Sequence, residues 1–165
     1  MKNFIVAISF ILLCTSCLVH KGQWVSGQCR PKNPNFKLLK IPFKGSDKLV
    51  FNRVYIADDF TKSAGYIFYP DGRLIYVHSK DGFALQPEDV IEKKWNNAPA
   101  IGYWRIINNV IETEYFSCAN SGDYIEKRGE ISGDTLIFER YFGTSNPFKS
   151  ISCPEKYVLS NLGFD

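Results

Sequence analysis

The sequence predicts an all-β fold: an antiparallel meander closing into a barrel or half-barrel, with one short helix near 87–95. Three observations carry that reading. Aromatic residues make up 15% of the 165-residue chain, a share that favours strands. From Leu49 onward, short runs of aromatic and β-branched residues alternate with Gly, Pro, Asn and Asp turn signals. The runs follow one another as consecutive hairpins with no long crossover, and closing such a meander removes its exposed edges. A chain of this length forms one domain. Its 45% hydrophobic content excludes a disordered chain. A net charge of +3 with no Lys/Arg block gives no argument for nucleic acid.

The first element is an address. Met1-Lys2-Asn3 is a short basic start, residues 4–13 are an apolar run that includes Ser9, and Thr15-Ser16 supplies small residues before Cys17. This is the n-region, h-region and cleavage site of a secretory signal. A transmembrane span needs about 20 apolar residues, and even extended to Val19 the run reaches only 16, Thr15 and Ser16 included. A cysteine directly after small residues at the end of an apolar run resembles a bacterial lipoprotein signal, with Cys14 standing where that pattern usually has Leu. The resemblance implies that 1–16 is a lipoprotein signal peptide cleaved before Cys17, and that Cys17 carries a diacylglyceryl group. Such an anchor buries its methylenes at about 0.8 kcal/mol each. It holds a soluble domain at a membrane of the cell envelope, outside the cytoplasm; a plain secreted form is the alternative. Residues 17–35 read as a tether with Gly22, Gly27, Pro31, Pro34 and the cations Lys21, Arg30 and Lys32. These cations either graze anionic headgroups, at about 1 kcal/mol each, or belong to a solvated linker. The remainder, 36–165, is a single barrel-like domain.

Within that domain, 49–57 is the first strand, with Leu49 and Phe51 on one side, ended by Asp58-Asp59. Residues 64–69 and 73–78 form a hairpin around Pro70-Asp71-Gly72, where Pro sets φ and Gly supplies a positive-φ position. Residues 87–95 are the one helical candidate. Pro87 suits the first helical position, Glu88-Asp89 put negative charge in the first turn, and Asn96-Asn97-Ala98-Pro99 stops it. A loop with one helical turn is the competing reading. Strands resume at 101–107 and 110–118 around Asn108-Asn109, a dipeptide that tolerates positive φ. They continue at 124–131 and 135–142 around Ser132-Gly133-Asp134. Residues 148–153 and 157–159 are edge strands or a packed tail. Several strands are apolar on both sides; Ile101, Tyr103 and Ile107, for instance, share a side with Arg105. That predicts a sheet whose outer side is partly covered, or a barrel with some inward polar groups.

Cys14 leaves with the signal and Cys17 takes lipid, so Cys29, Cys118 and Cys153 remain. Export permits disulfides. The meander returns residue 142 to the end of the sheet where 118 lies. This favours Cys118–Cys153, with Cys29 free or pairing in place of one of them; three reduced thiols are the alternative. No C-x-x-C and no cysteine–histidine spacing suggests a metal or redox centre, and no cofactor is expected.

Three pieces of the chain resemble the small lipocalin-like lipoprotein domains of bacteria. They are Gly65-Tyr66-Ile67-Phe68-Tyr69-Pro70-Asp71-Gly72, Gly102-Tyr103-Trp104-Arg105-Ile106, and Ile131-Ser132-Gly133-Asp134-Thr135-Leu136. They match in order an F-x-x-D-G hairpin, a G-x-W strand and a G-D-x-L hairpin, over roughly 49–142. The resemblance implies a lipocalin-like antiparallel barrel or half-barrel and no particular ligand, since such barrels host many functions. The insert at 80–100 departs from it.

No G-x-S-x-G, phosphate-cradling Gly loop or H-E-x-x-H is present, and no catalytic residue is expected. His78 reads as a surface or turn-capping residue. Glu112, Glu114, Glu126, Glu130 and Glu139 pair across strands with Arg128 and Arg140. A carboxylate pair for glycoside cleavage is outweighed there by ion pairing on a solvated face. Tyr66, Phe68, Tyr76, Trp104, Tyr115 and Phe138 are the candidate ligand-lining set, in a barrel mouth with polar tips; the alternative is that they fill the core. The expected function is a membrane-anchored, non-catalytic binding domain for an apolar or amphipathic small ligand. The alternative is a protein-interaction lipoprotein, either an envelope assembly factor or an inhibitor of a foreign enzyme. The expected partners are the membrane, through the lipid anchor, and that ligand or envelope protein, not nucleic acid.

Overall fold

A computed structural model describes residues 21–91, 95–119, 122–139 and 154–164. The first element among the described residues is a two-stranded hairpin, β1 (Gly22–Val25) and β2 (Gln28–Pro31). Then come β3 (Arg53–Ala57), β4 (Ala64–Phe68), β5 (Arg73–His78), α1 (Pro87–Ile91), β6 (Ala100–Ile107), β7 (Val110–Ser117), β8 (Asp123–Ser132), β9 (Thr135–Glu139) and β10 (Glu155–Gly163). Strands β3 to β10 form one closed antiparallel barrel in up-and-down order. Closure falls to β10, which pairs with β9 on one side and with β3 on the other.

Two-residue periodicity sorts the side chains. Tyr55, Tyr66, Phe68, Leu74, Trp104, Ile111, Tyr115, Leu136, Phe138 and Tyr157 point inward and form the main core. The intervening residues explain why the strands are apolar on both sides. Val54, Ile67, Ile75 and Val77 lie under Leu85, Val90 and Ala98 of the β5–β6 connection. Phe116 lies under Cys29 and Phe36. The insert that departs from a plain meander is thus the outer cover of β3–β5. Close strand approach is helped by Gly102, where a Cβ would stand 2.0 Å from the Glu114 carbonyl oxygen. The β6–β7 turn has Asn108 and Asn109 both at positive φ, 51° and 67°, as a tight two-residue hairpin turn requires.

One end of the barrel is plugged. The chain between 38 and 51 crosses it, bringing Phe43 and Phe51 to 5.1 and 5.9 Å from Trp104 between ring centres. Arg105, on the outer side of β6, is buried beneath this crossing. Its Nε donates to the Ile41 carbonyl at 2.8 Å, and its Nη1 donates to the carbonyls of Trp104 and Gly72 at 2.7 and 3.2 Å.

Several sequence expectations change. The first barrel strand begins at Arg53, because Asn52 takes φ 58°; Leu49 and Phe51 serve in the plug instead. Of the expected 87–95 helix, the described residues form α1 at Pro87–Ile91 and a 3-10 turn at Trp95–Asn97. The 157–159 tail is the centre of the closing strand, with Tyr157 inward and a partner on each side. The 17–35 segment holds a hairpin from residue 22 on, in place of an open tether. The preferred Cys118–Cys153 pairing gives way to Cys29–Cys118, with Cα atoms 5.5 Å apart. The physical reason is that hairpin: its Cys29 N–H donates to the Pro99 carbonyl at 3.0 Å, which seats β2 against the start of β6 beside the end of β7. Cys153, Cys17, Arg140 and the 148–153 run lie outside the described residues.

Candidate ligand site at the barrel mouth

The end opposite the plug carries the β3–β4 turn, the β5–β6 insert and the β7–β8 turn, with the β1–β2 hairpin standing along its rim. Between hairpin and barrel is a cleft of about 650 Å³, within the 300–1,000 Å³ typical of small-molecule sites. Tyr76 of β5 and Tyr115 of β7 line its inner part, stacked at 4.6 Å and 13°. Trp24, His78, Lys80 and the Cys29–Cys118 bridge complete its walls.

Behind the stacked pair sits Tyr66, fully buried, with the rings of Tyr157, Tyr76, Phe138 and Tyr115 at 4.8, 5.1, 5.6 and 5.9 Å. Its hydroxyl has no hydrogen-bond partner among the described residues. Burial pushes the Tyr66, Tyr76 and Tyr157 phenols up, so all three remain neutral donors at physiological pH. Lys127 enters the same aromatic layer from β8. Its Nζ lies 5.2, 5.6 and 5.9 Å from the Tyr157, Tyr66 and Phe138 ring centres. It pairs with Glu155, donates to the Tyr157 hydroxyl at 3.1 Å, and that hydroxyl donates to Glu155 at 3.0 Å. The barrel therefore holds a paired ammonium and carboxylate beside its aromatic centre, with Glu155 partly exposed.

All six aromatic candidates belong to the interior cluster, but they divide. Tyr76 and Tyr115 reach the cleft, whereas Tyr66, Phe68, Trp104 and Phe138 are wholly buried among other rings and do not line it. Sequence reading missed Lys127, Glu155 and Tyr157. Only the inward parity of Ile125 and Ile131 on either side would have turned Lys127 inward.

A second cleft, of about 210 Å³, lies outside the barrel between residues 37–41 and strands β7 and β8. Here the acidic residues are partly as expected. Glu112 meets Arg128 at 2.9 Å, and Glu126 meets Lys37. Glu114, however, faces Glu126 across the strands and is 1% exposed, not solvated. Its Oε2 accepts the Leu38 N–H at 2.9 Å, and its Oε1 has no partner among the described residues. Burial holds its carboxyl above the ordinary glutamate value, against the opposing pull of the Leu38 and Lys37 N–H groups.

Among the described residues no group of His, Cys, Asp and Glu is arranged to hold a metal, and no helix is long and apolar enough to cross a membrane. Comparison with family models, with curated proteins and with solved structures returned no match for this chain.

Proposed function

We propose that the chain is a lipid-anchored, extracytoplasmic and non-catalytic binding domain that takes an apolar or amphipathic small ligand at its barrel mouth. The observation that carries this reading is the cleft of about 650 Å³, walled by Trp24, Tyr76 and Tyr115, at the end of a closed barrel opposite the plug. Its stacked tyrosines offer an apolar wall, and their hydroxyls suit a ligand with a polar end. The packed centre behind them limits the ligand to the mouth, so no deep chamber is invoked. The Cys29–Cys118 bridge supports an oxidising compartment. The signal-like start ending at Cys17 and the three lipocalin-like motifs support an anchored barrel.

The test is direct. The protein is isolated from its host in mild detergent and analysed by native and denaturing mass spectrometry. The reading expects an acyl mass on Cys17 and a retained small molecule. Titration with 1-anilinonaphthalene-8-sulfonate, an amphipathic fluorescent probe, should give saturable binding that Tyr115→Ala weakens about tenfold, on the scale of one lost aromatic contact. Absence of saturable binding, or a titration indifferent to Tyr115→Ala and Tyr76→Ala, refutes the mouth as a ligand site.

A further inference from the structure

Among the described residues, four of the seven exposed large apolar side chains lie toward the mouth, against Leu39 and Val50 at the plugged end and Val158 on the outside of β10. Phe60 is fully exposed, Phe83 is 73% exposed and Trp24 68%, with Val25 beside it. Each projects from a turn: Trp24 and Val25 from the tip of the β1–β2 hairpin, Phe60 from the β3–β4 turn, Phe83 from the loop before α1. The turns are fixed. Asp59 accepts the N–H groups of Thr61 and Lys62 at 3.0 and 2.7 Å, and Asp81 accepts the Phe83 N–H at 3.1 Å. The two loops are also tied together, by Ser79 N–H to the Ser63 carbonyl at 2.8 Å and Leu85 N–H to the Lys62 carbonyl at 3.1 Å. Lys62 and Lys80 belong to these same loops, while Asp59 and Asp81 are engaged as turn caps; further carboxylates at this end include Asp58, Glu88, Asp89, Asp123 and Glu155, the last paired with Lys127. Aromatic tips interleaved with lysine suit the boundary between headgroups and acyl chains.

The path of the chain selects the same face. Strand β1 begins at Gly22, whose backbone lies against Gly122 in the β7–β8 turn at the mouth. Four peptide steps separate Lys21 from Cys17, a reach of at most about 14 Å when extended. A lipid on Cys17 therefore holds the mouth close to the bilayer and the plugged end far from it.

We infer that the rim formed by Trp24, Phe60 and Phe83 docks on the lipid surface, so that the barrel mouth opens onto the membrane. This rests on the anchored reading above and deepens it: the ligand is a bilayer-resident amphiphile that passes between membrane and cleft without crossing bulk water. Apolar tips fixed on rigid turns favour a lipid surface over a protein partner, because they offer several small insertions and no continuous complementary face.

The experiment uses the acylated full-length product in phosphatidylcholine vesicles, with and without phosphatidylglycerol. Brominated lipids report contact with Trp24, read as the difference between wild type and Trp24→Phe, since Trp95 and Trp104 remain in both. The expected result is several-fold stronger quenching in wild type, reduced by the Phe60→Ser/Phe83→Ser double variant, whose circular dichroism is unchanged. Trp24 quenched by aqueous iodide and untouched by brominated lipid, on protein that is acylated and vesicle-bound, overturns the docking while leaving the anchor standing. A chain carrying no acyl mass overturns the anchor. Vesicle co-sedimentation of that same chain then decides the rim: sedimentation that needs Phe60 and Phe83 sustains docking, and none overturns it. Stoichiometric cross-linking of an envelope protein to this rim in place of lipid also overturns it.

Discussion

The Cys29–Cys118 bridge makes the sharpest quantitative claim. It spans 89 residues of sequence, a loop that encloses β3 to β7. The constraint therefore acts on the unfolded state of the barrel as well as on the hairpin. Loop-closure entropy for a ring of that size amounts to about 4.6 kcal/mol at 25 °C, and native bridges deliver roughly 2–4 of such values. The double variant Cys29→Ala/Cys118→Ala should lose about 3 kcal/mol, lowering Tm by roughly 10 °C for a domain of this size. The assay is urea and thermal unfolding followed by circular dichroism, with wild type measured in oxidising and reducing buffer. Reduced wild type should fall toward the double variant, and Cys153→Ala should leave the midpoint unchanged. Peptide mapping under non-reducing conditions should recover the 29–118 linkage. A 118–153 linkage, or a double variant as stable as wild type, refutes the reasoning.

Two further predictions concern buried charge. Glu114→Gln keeps an acceptor for the Leu38 N–H and removes a carboxylate that faces Glu126. Because the folded carboxyl is raised above the unfolded value of 4.5, the folded state binds the proton more tightly, so wild-type stability falls as pH rises through and above that value. The variant should thus gain about 1 kcal/mol at pH 7, with the gain closing toward pH 4; a pH-independent difference in urea midpoints refutes this. Arg105→Lys cannot reproduce three bonds to the Ile41, Gly72 and Trp104 carbonyls, and should cost about 2 kcal/mol in urea unfolding; a loss below about 0.5 kcal/mol, the scale of a surface change, argues against the buried fork.

Strand periodicity made the barrel interior legible, because Tyr66, Phe68, Tyr76, Trp104, Tyr115 and Phe138 all keep inward parity. The Pro70-Asp71-Gly72 and Asn108-Asn109 turns were legible for a local reason: each needs a positive φ that few residues accept. The β1–β2 hairpin was not, since four-residue strands bearing Gly and cations resemble a linker until something distant covers them. The closing strand was hidden by its polar residues, Ser160 and Asn161, which break the alternation near its bulge. Lys127 and Glu114 were hidden because a charged residue in a strand ordinarily faces water. Their burial depends on long-range partners, Glu155 for one and the 37–41 crossing for the other.

That closure depends on β10 has a consequence for the making and breaking of this protein. Arg53, in the first strand of the ring, pairs with Gly163 at the end of the last. No partial product can seal the ring, and pairings so distant in sequence put folding on the millisecond-to-second scale. A premature stop codon or a proteolytic cut before Glu155 removes β10 and bares the free margins of both β3 and β9. Such a fragment presents two ready templates to its neighbours, so truncation leads toward clumping rather than toward a smaller working domain.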